Sequence, residues 1–108
     1  MSNPSRLHQL QEMLKAEPND AFLNYALAVE FEKEGRIDEA TVHLQNMIKS
    51  HPEYLPIYYK LGKLFEDQQQ FNEAKNSYLL GKNLALKQNN KKTLNELEEA
   101  LWLIEDEE

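Results

Sequence analysis

Residues 30–40 read EFEKEGRIDEA, and residues 64–74 read LFEDQQQFNEA. Sliding the chain against itself by 34 positions superposes the two stretches and extends the match on both sides. Pro18 falls on Pro52, Tyr25 on Tyr59, Leu27 on Leu61, Phe31 on Phe65, Glu32 on Glu66, Glu39 on Glu73 and Ala40 on Ala74. Pairs that differ keep their character, as with Ala28 and Gly62, Ile37 and Phe71, Asp38 and Asn72. A fixed period that sets small residues opposite small residues marks one structural unit used twice.

Within each copy the apolar positions recur at three and four, as in Leu23, Leu27 and Phe31, then Ile37, Val42, Leu44 and Ile48. That spacing predicts two amphipathic helices per copy, each about 14 residues long. Gly35 suits the left-handed position just past the first helix, and Asp38 is expected to cap the next one, with Ile37 and Val42 as a hydrophobic staple. At the matching corner of the second copy Gln69 must do what Gly35 does, so that corner is expected to be the more strained or the looser. Pro52 ends the second helix, and Pro56 falls in the first turn of the next, where a missing N–H is no loss. Ala28, Gly62, Ala40 and Ala74 are small so that paired helices approach closely, while Phe31, Phe65 and Tyr78 fill the space between them.

One further helix is predicted at each end. Residues 4–16 start with Asn3 as a cap and Pro4 in the first turn, and carry Leu7, Leu10 and Leu14 on one stripe. Residues 91–106 carry Leu94, Leu97, Leu101 and Ile104 on one face and Glu on the other, after a polar turn at 87–92. The acidic close, Glu105 to Glu108, opposes the helix dipole and is expected to fray.

Composition supports an all-helical chain, because Leu, Ala, Glu, Lys, Gln and Asn dominate and Gly, Pro, Val and Thr are scarce. At 108 residues the chain is expected to be a single domain with its own core. Cysteine is absent, which removes disulfides, thiolate metal sites and a cysteine nucleophile, and fits a reducing, cytoplasmic setting. No signal peptide and no membrane-spanning run is read. Nineteen Asp and Glu against 12 Lys and Arg leave a net charge of -7, which argues against nucleic acid and for a neutral or basic protein partner, or simply for solubility.

Residues 58–65, Tyr-x-x-Leu-Gly-x-x-Phe, followed by Ala74 and Tyr78, resemble the tetratricopeptide repeat in pattern and in period. The first copy resembles it through Leu27, Ala28, Phe31, Ala40, Leu44 and Pro52, with Asn24 where the family prefers tryptophan. In the second copy Leu86 stands where a closing proline is expected, so its second helix is expected to run on. The resemblance implies a right-handed α-solenoid of two helical hairpins, at 21–54 and 55–88, with one flanking helix at each end and six helices in all.

Catalytic chemistry finds no footing. The three glycines form no phosphate-binding loop, and His8, His43 and His51 lie far apart without ligand spacing and read as ordinary surface histidines. Ser50 and His51 are adjacent at a helix end, which is not a nucleophile–base arrangement, and the carboxylates read as solvated helix faces. No enzyme, cofactor or metal site is read.

A surface remains. By the resemblance, the first helices of the repeats line a concave groove, and the residues facing it are Phe22, Tyr25, Val29 and Glu32, then Tyr59, Lys63 and Glu66. Aromatic anchors on an accessible wall suit a peptide or helix of a partner protein. Phe22 and Tyr25 have an alternative, packing against the N-terminal helix, and Tyr58 takes the tryptophan position and reads as core. The family's clamp for a C-terminal carboxylate is not expected, since Tyr25, Val29 and Tyr59 occupy that region. Trp102 lies off the Leu94, Leu97, Leu101 stripe, among Asn95, Glu98, Glu99 and Glu105. It either borders the groove, sits half-buried at the edge of the packed face, or forms a self-association patch that would make the chain a homodimer through its terminal helices.

Overall fold

In the computed structural model, which describes residues 5–105, six α-helices and no strand are present among the described residues. They are α1 (Arg6–Ala16), α2 (Ala21–Lys33), α3 (Ile37–Ser50), α4 (Pro56–Asp67), α5 (Phe71–Lys87) and α6 (Lys91–Ile104). Four of these starts have a local cause. Ser5 Oγ accepts the His8 N–H at 3.0 Å, Asp20 Oδ1 accepts the Leu23 N–H at 2.8 Å, and Asn90 Oδ1 accepts the Thr93 N–H at 3.0 Å. Pro56 opens α4 as its first residue.

Two expectations about helix starts need correction. The first helix begins at Arg6, capped by Ser5, and the expected cap and first turn at Asn3 and Pro4 lie outside the described residues. Asp38 does not cap α3: it sits in the first turn, and Arg36 occupies the cap position without a side-chain hydrogen bond. Val42 is no staple either, being 54% exposed. The reason is the brevity of the corner. Only Glu34, Gly35 and Arg36 separate α2 from α3, so Arg36 must both close one helix and open the next.

That closure recurs three times. At the end of α2, Gly35 stands at φ +77°, its N–H bonded to Glu32 O at 3.0 Å, while the Arg36 N–H reaches Phe31 O at 2.9 Å. Gln69 repeats this at φ +59° after α4, with bonds to Glu66 O and, from Gln70, to Phe65 O. Asn89 repeats it at φ +56° after α5, with bonds to Leu86 O and, from Asn90, to Ala85 O. The paired bonds are those of the Schellman motif, which satisfies the last carbonyls of a helix. Gln69 thus carries the backbone strain expected of the second corner, for an L side chain in the left-handed region loses about 1–2 kcal/mol.

Substitutions at the two corners should move stability in opposite directions. A Cβ on Gly35 would meet nothing within 4 Å, so Gly35→Ala is expected to lose about 1–2 kcal/mol for conformational reasons alone. Gln69→Gly is expected to gain about 0.5–1 kcal/mol once the extra freedom of glycine in the unfolded chain is deducted. Urea melts of the two variants beside the parent decide it; a stabilised Gly35→Ala would contradict the reading.

The chain divides into two compact units, Met1–Pro52 and Glu53–Glu108. In the first, α2 packs against both α1 and α3, burying Leu10, Leu27, Ala28, Ala40, Leu44 and Met47. Phe31 is buried beside that core and lies nearly perpendicular to the His43 ring, centroids 6.2 Å apart. In the second, α5 packs against both α4 and α6, and Ile57, Leu64, Tyr78, Leu97 and Ile104 are wholly or almost wholly buried. Tyr58, in the tryptophan position, is likewise core. On α6 the inward stripe is Leu97, Ala100 and Ile104, with Leu94 and Leu101 half-buried beside it. Without a proline at Leu86, α5 continues to Lys87 and is the longest helix at 17 residues.

Candidate binding surface

On α2 the residues Phe22, Tyr25, Val29 and Glu32 are three, seven and ten positions along from the first, which puts all four on one side of the helix. Leu23, Leu27, Ala28 and Phe31 take the opposite, buried side. Phe22 is 63% exposed at the start of α2, beside α1. Tyr25, Val29 and Glu32 are half-buried. Between α1 and the start of α2 lies a depression of about 460 Å³ lined by Met13, Ala16, Glu17, Asp20, Phe22 and Leu23.

In the second unit Tyr59, Lys63 and Glu66 also share one side of their helix, α4, and they meet as a cluster. Lys63 Nζ sits 5.3 Å from the centre of the Tyr59 ring and 3.8 Å from Glu66 Oε2. The Tyr78 hydroxyl, from α5, donates to Glu66 Oε1 at 3.0 Å, and the Tyr78 ring lies 6.0 Å from that of Tyr59. Burial first, then the Glu66 carboxylate, hold the Tyr78 phenol well above the usual tyrosine range. Tyr78 was legible in the sequence only as filler. Its position, twelve residues beyond Glu66 on the facing helix of the hairpin, is the signal that ties it to the surface cluster.

Trp102 is 67% exposed on α6, beside the exposed Leu103, which removes the alternative of burial at the packing edge. His43 corrects another expectation. It is half-buried rather than a surface histidine, because its ring fits between Phe31 and the backbone of Asn24. Burial pushes its imidazole below the ordinary histidine range, the Asn24 backbone opposing, and its Nε2 is buried without a hydrogen-bond partner. It lines a second depression of about 360 Å³ with Phe31, Asp38, Glu39, Val42 and Asn46. No grouping of His, Asp and Glu among the described residues could hold a metal ion, and no described helix is long and apolar enough to cross a membrane.

No protein-family profile and no curated protein matches the chain. Solved structures do. A tetratricopeptide repeat domain protein from Salinibacter ruber, determined in solution, is 33% identical, covers 84% of this chain and 92% of its own, and superposes with a TM-score of 0.81. A crystal structure of a tetratricopeptide repeat domain protein from the same organism gives 32% identity, 82% and 100% coverage and a TM-score of 0.78. A protein from Bordetella parapertussis shares the fold, with a TM-score of 0.84 over 97% of this chain and 91% of its own at 21% identity.

Proposed function

The chain belongs to the tetratricopeptide repeat family, and we propose that it is a non-catalytic protein-interaction module that binds a peptide or helix of a partner through the accessible sides of α2 and α4. The observation that carries this reading is the spacing on those two helices. Phe22, Tyr25, Val29 and Glu32 share one side of the first, and Tyr59, Lys63 and Glu66 one side of the second; Phe22 is exposed and the other six are half-buried. Aromatic side chains contribute large contact area for little lost rotamer freedom, and charged neighbours set the register of an incoming segment. The two units serve in this reading as one domain acting in the cytoplasm. Tyr25→Ala and Tyr59→Ala should abolish capture of partners from a lysate while leaving helicity unchanged; undiminished capture by both variants sinks the reading.

A second reading rests on Trp102 and Leu103. Two large apolar side chains exposed side by side on α6 suit a self-associating module, a homodimer through terminal helices. Light scattering at rising concentration separates the two, since a strict monomer at high concentration removes the dimer.

A further inference from the structure

Three surface features invite an occupant: the depression at α1 and α2, the depression on α3, and the exposed Trp102. The α3 depression already has a cation. Arg36 lies over the Phe31 ring, 4.7 Å from its centre, and forks onto Glu39 through Nε at 2.7 Å and Nη2 at 2.6 Å. Trp102 is exposed and has Glu98, Glu99 and Glu105 at helical spacing around it. The α1–α2 depression differs from both, in that it combines open volume, exposed apolar side chains and negative charge with no cation among its described lining residues.

We propose that this depression is the anchoring site for a cationic amphipathic segment of the partner, an apolar side chain entering between Met13, Phe22 and Leu23 while an adjacent Lys or Arg meets Glu17. The inference rests on the interaction-module reading and adds the chemistry of what is bound. Its volume of about 460 Å³ falls in the range of ligand clefts, and it is open to solvent. Leu23 forms the buried floor, and two exposed side chains, Phe22 and the conformationally adaptable Met13, form the walls.

The rim decides the partner's charge. Glu17 and Asp20 are its ionisable groups, and no cation among the described residues pairs with Glu17, because the neighbouring Lys15 is held by Glu12 at 2.9 Å. Asp20 accepts the Leu23 N–H at Oδ1 as a helix cap, and Glu17 is the exposed carboxylate placed to meet an incoming cation. A second copy of this chain is a poor occupant. It would arrive with a net charge of -7 and, if Trp102 led, with Glu98, Glu99 and Glu105 around the indole.

The test uses the full chain and three fluorescein-labelled synthetic peptides: an amphipathic Leu/Lys helix, its Leu/Glu counterpart, and a Lys/Gln peptide without an apolar face. The Leu/Lys peptide should bind in preference to the other two. Phe22→Ala should weaken it about tenfold, as truncation of an aromatic anchor does, and Glu17→Gln about threefold, the smaller loss of an exposed ion pair. Both side chains are solvent-exposed, so circular dichroism should report an unchanged fold. Equal binding of the Leu/Glu peptide, no binding of the Leu/Lys peptide, or binding indifferent to both substitutions overturns the inference. Binding lost in Tyr59→Ala but kept in Phe22→Ala overturns the inference and leaves the interaction reading standing. Concentration-dependent dimerisation that Phe22→Ala abolishes would put a second copy in the depression and likewise overturn it.

Discussion

Gly62→Ala is expected to destabilise the protein by about 2–3 kcal/mol, although alanine is the better helix former by about 1 kcal/mol. The methyl group would overlap the edge of the Tyr78 ring at Cε1, 2.6 Å from Cδ1 and 2.7 Å from Cζ. That ring has nowhere to go. It is fully buried, flanked by Tyr59, and tied at its hydroxyl to Glu66. For a domain of this size the loss lowers the melting temperature by about 10–20 °C. The first repeat indicates a cure, because its equivalent positions, 34 residues earlier, hold Ala28 and Leu44, both buried. There a Cβ on one helix coexists with a smaller side chain on the other. The double variant Gly62→Ala/Tyr78→Leu should therefore recover about 1–2 kcal/mol of the loss, a coupling that independent sites would not show. Thermal melts of the two single variants and the double close the cycle. A Gly62→Ala protein that melts with the parent would mean that α4 and α5 do not need their close approach.

The same comparison explains why the architecture could be read from residues alone. Helix existence and pairing are written in local spacing, and each apolar stripe buries the side that its period indicates, as Leu23, Leu27 and Phe31 do on α2. The left-handed stop at Gly35 was equally legible, since only one residue type takes that conformation without strain. What escaped were features set by competition between neighbours. Asp38 has the right chemistry for a cap, but a corner of three residues gives the cap position to Arg36. The third Schellman corner, at Asn89, lies 20 residues after Gln69 rather than at the repeat period, so the period did not point to it.

The surface was less legible than the core for a physical reason. Helical periodicity sorts residues into inside and outside, and Phe22, Tyr25, Val29 and Glu32 share one side of α2. It does not say which outside residues are already engaged. Glu66 reads as a groove-facing carboxylate, yet one of its oxygens is held by Tyr78 and the other stands 3.8 Å from Lys63. His43 looked like an exposed polar residue until the hairpin brought Phe31 and Asn24 around it. Met13 drew no attention at all, because it becomes part of a site only when α1 meets the start of α2.

Tyr78→Phe should separate what Glu66 does for the fold from what it does for a partner. Deleting the hydroxyl removes the donor that reaches Glu66 Oε1 at 3.0 Å and keeps the ring that fills the space against Gly62. A hydrogen bond to a charged group is worth about 1.5–3 kcal/mol, and because the Glu66 side chain is 24% exposed water replaces part of it, so a loss of about 1–2 kcal/mol is expected. Glu66→Gln keeps an acceptor for the hydroxyl and should lose less. Alkaline titration gives an independent reading with a definite sign. The folded-state phenol of Tyr78 lies above its unfolded value, so its contribution is fully present below about pH 10, the unfolded value, and is lost as pH rises beyond it. Tyr78→Phe cannot ionise there, and its stability should fall less steeply above that pH than the parent's; parallel curves would contradict the assignment. Binding should respond in the opposite order. Tyr78→Phe leaves the Glu66 charge in place and releases it from an internal donor, so partner capture should persist at temperatures where the variant stays folded. Glu66→Gln removes the charge and should weaken capture despite its better stability. If both variants bind in proportion to their stability alone, Glu66 is a structural residue and leaves the proposed contact surface to Tyr59 and Lys63.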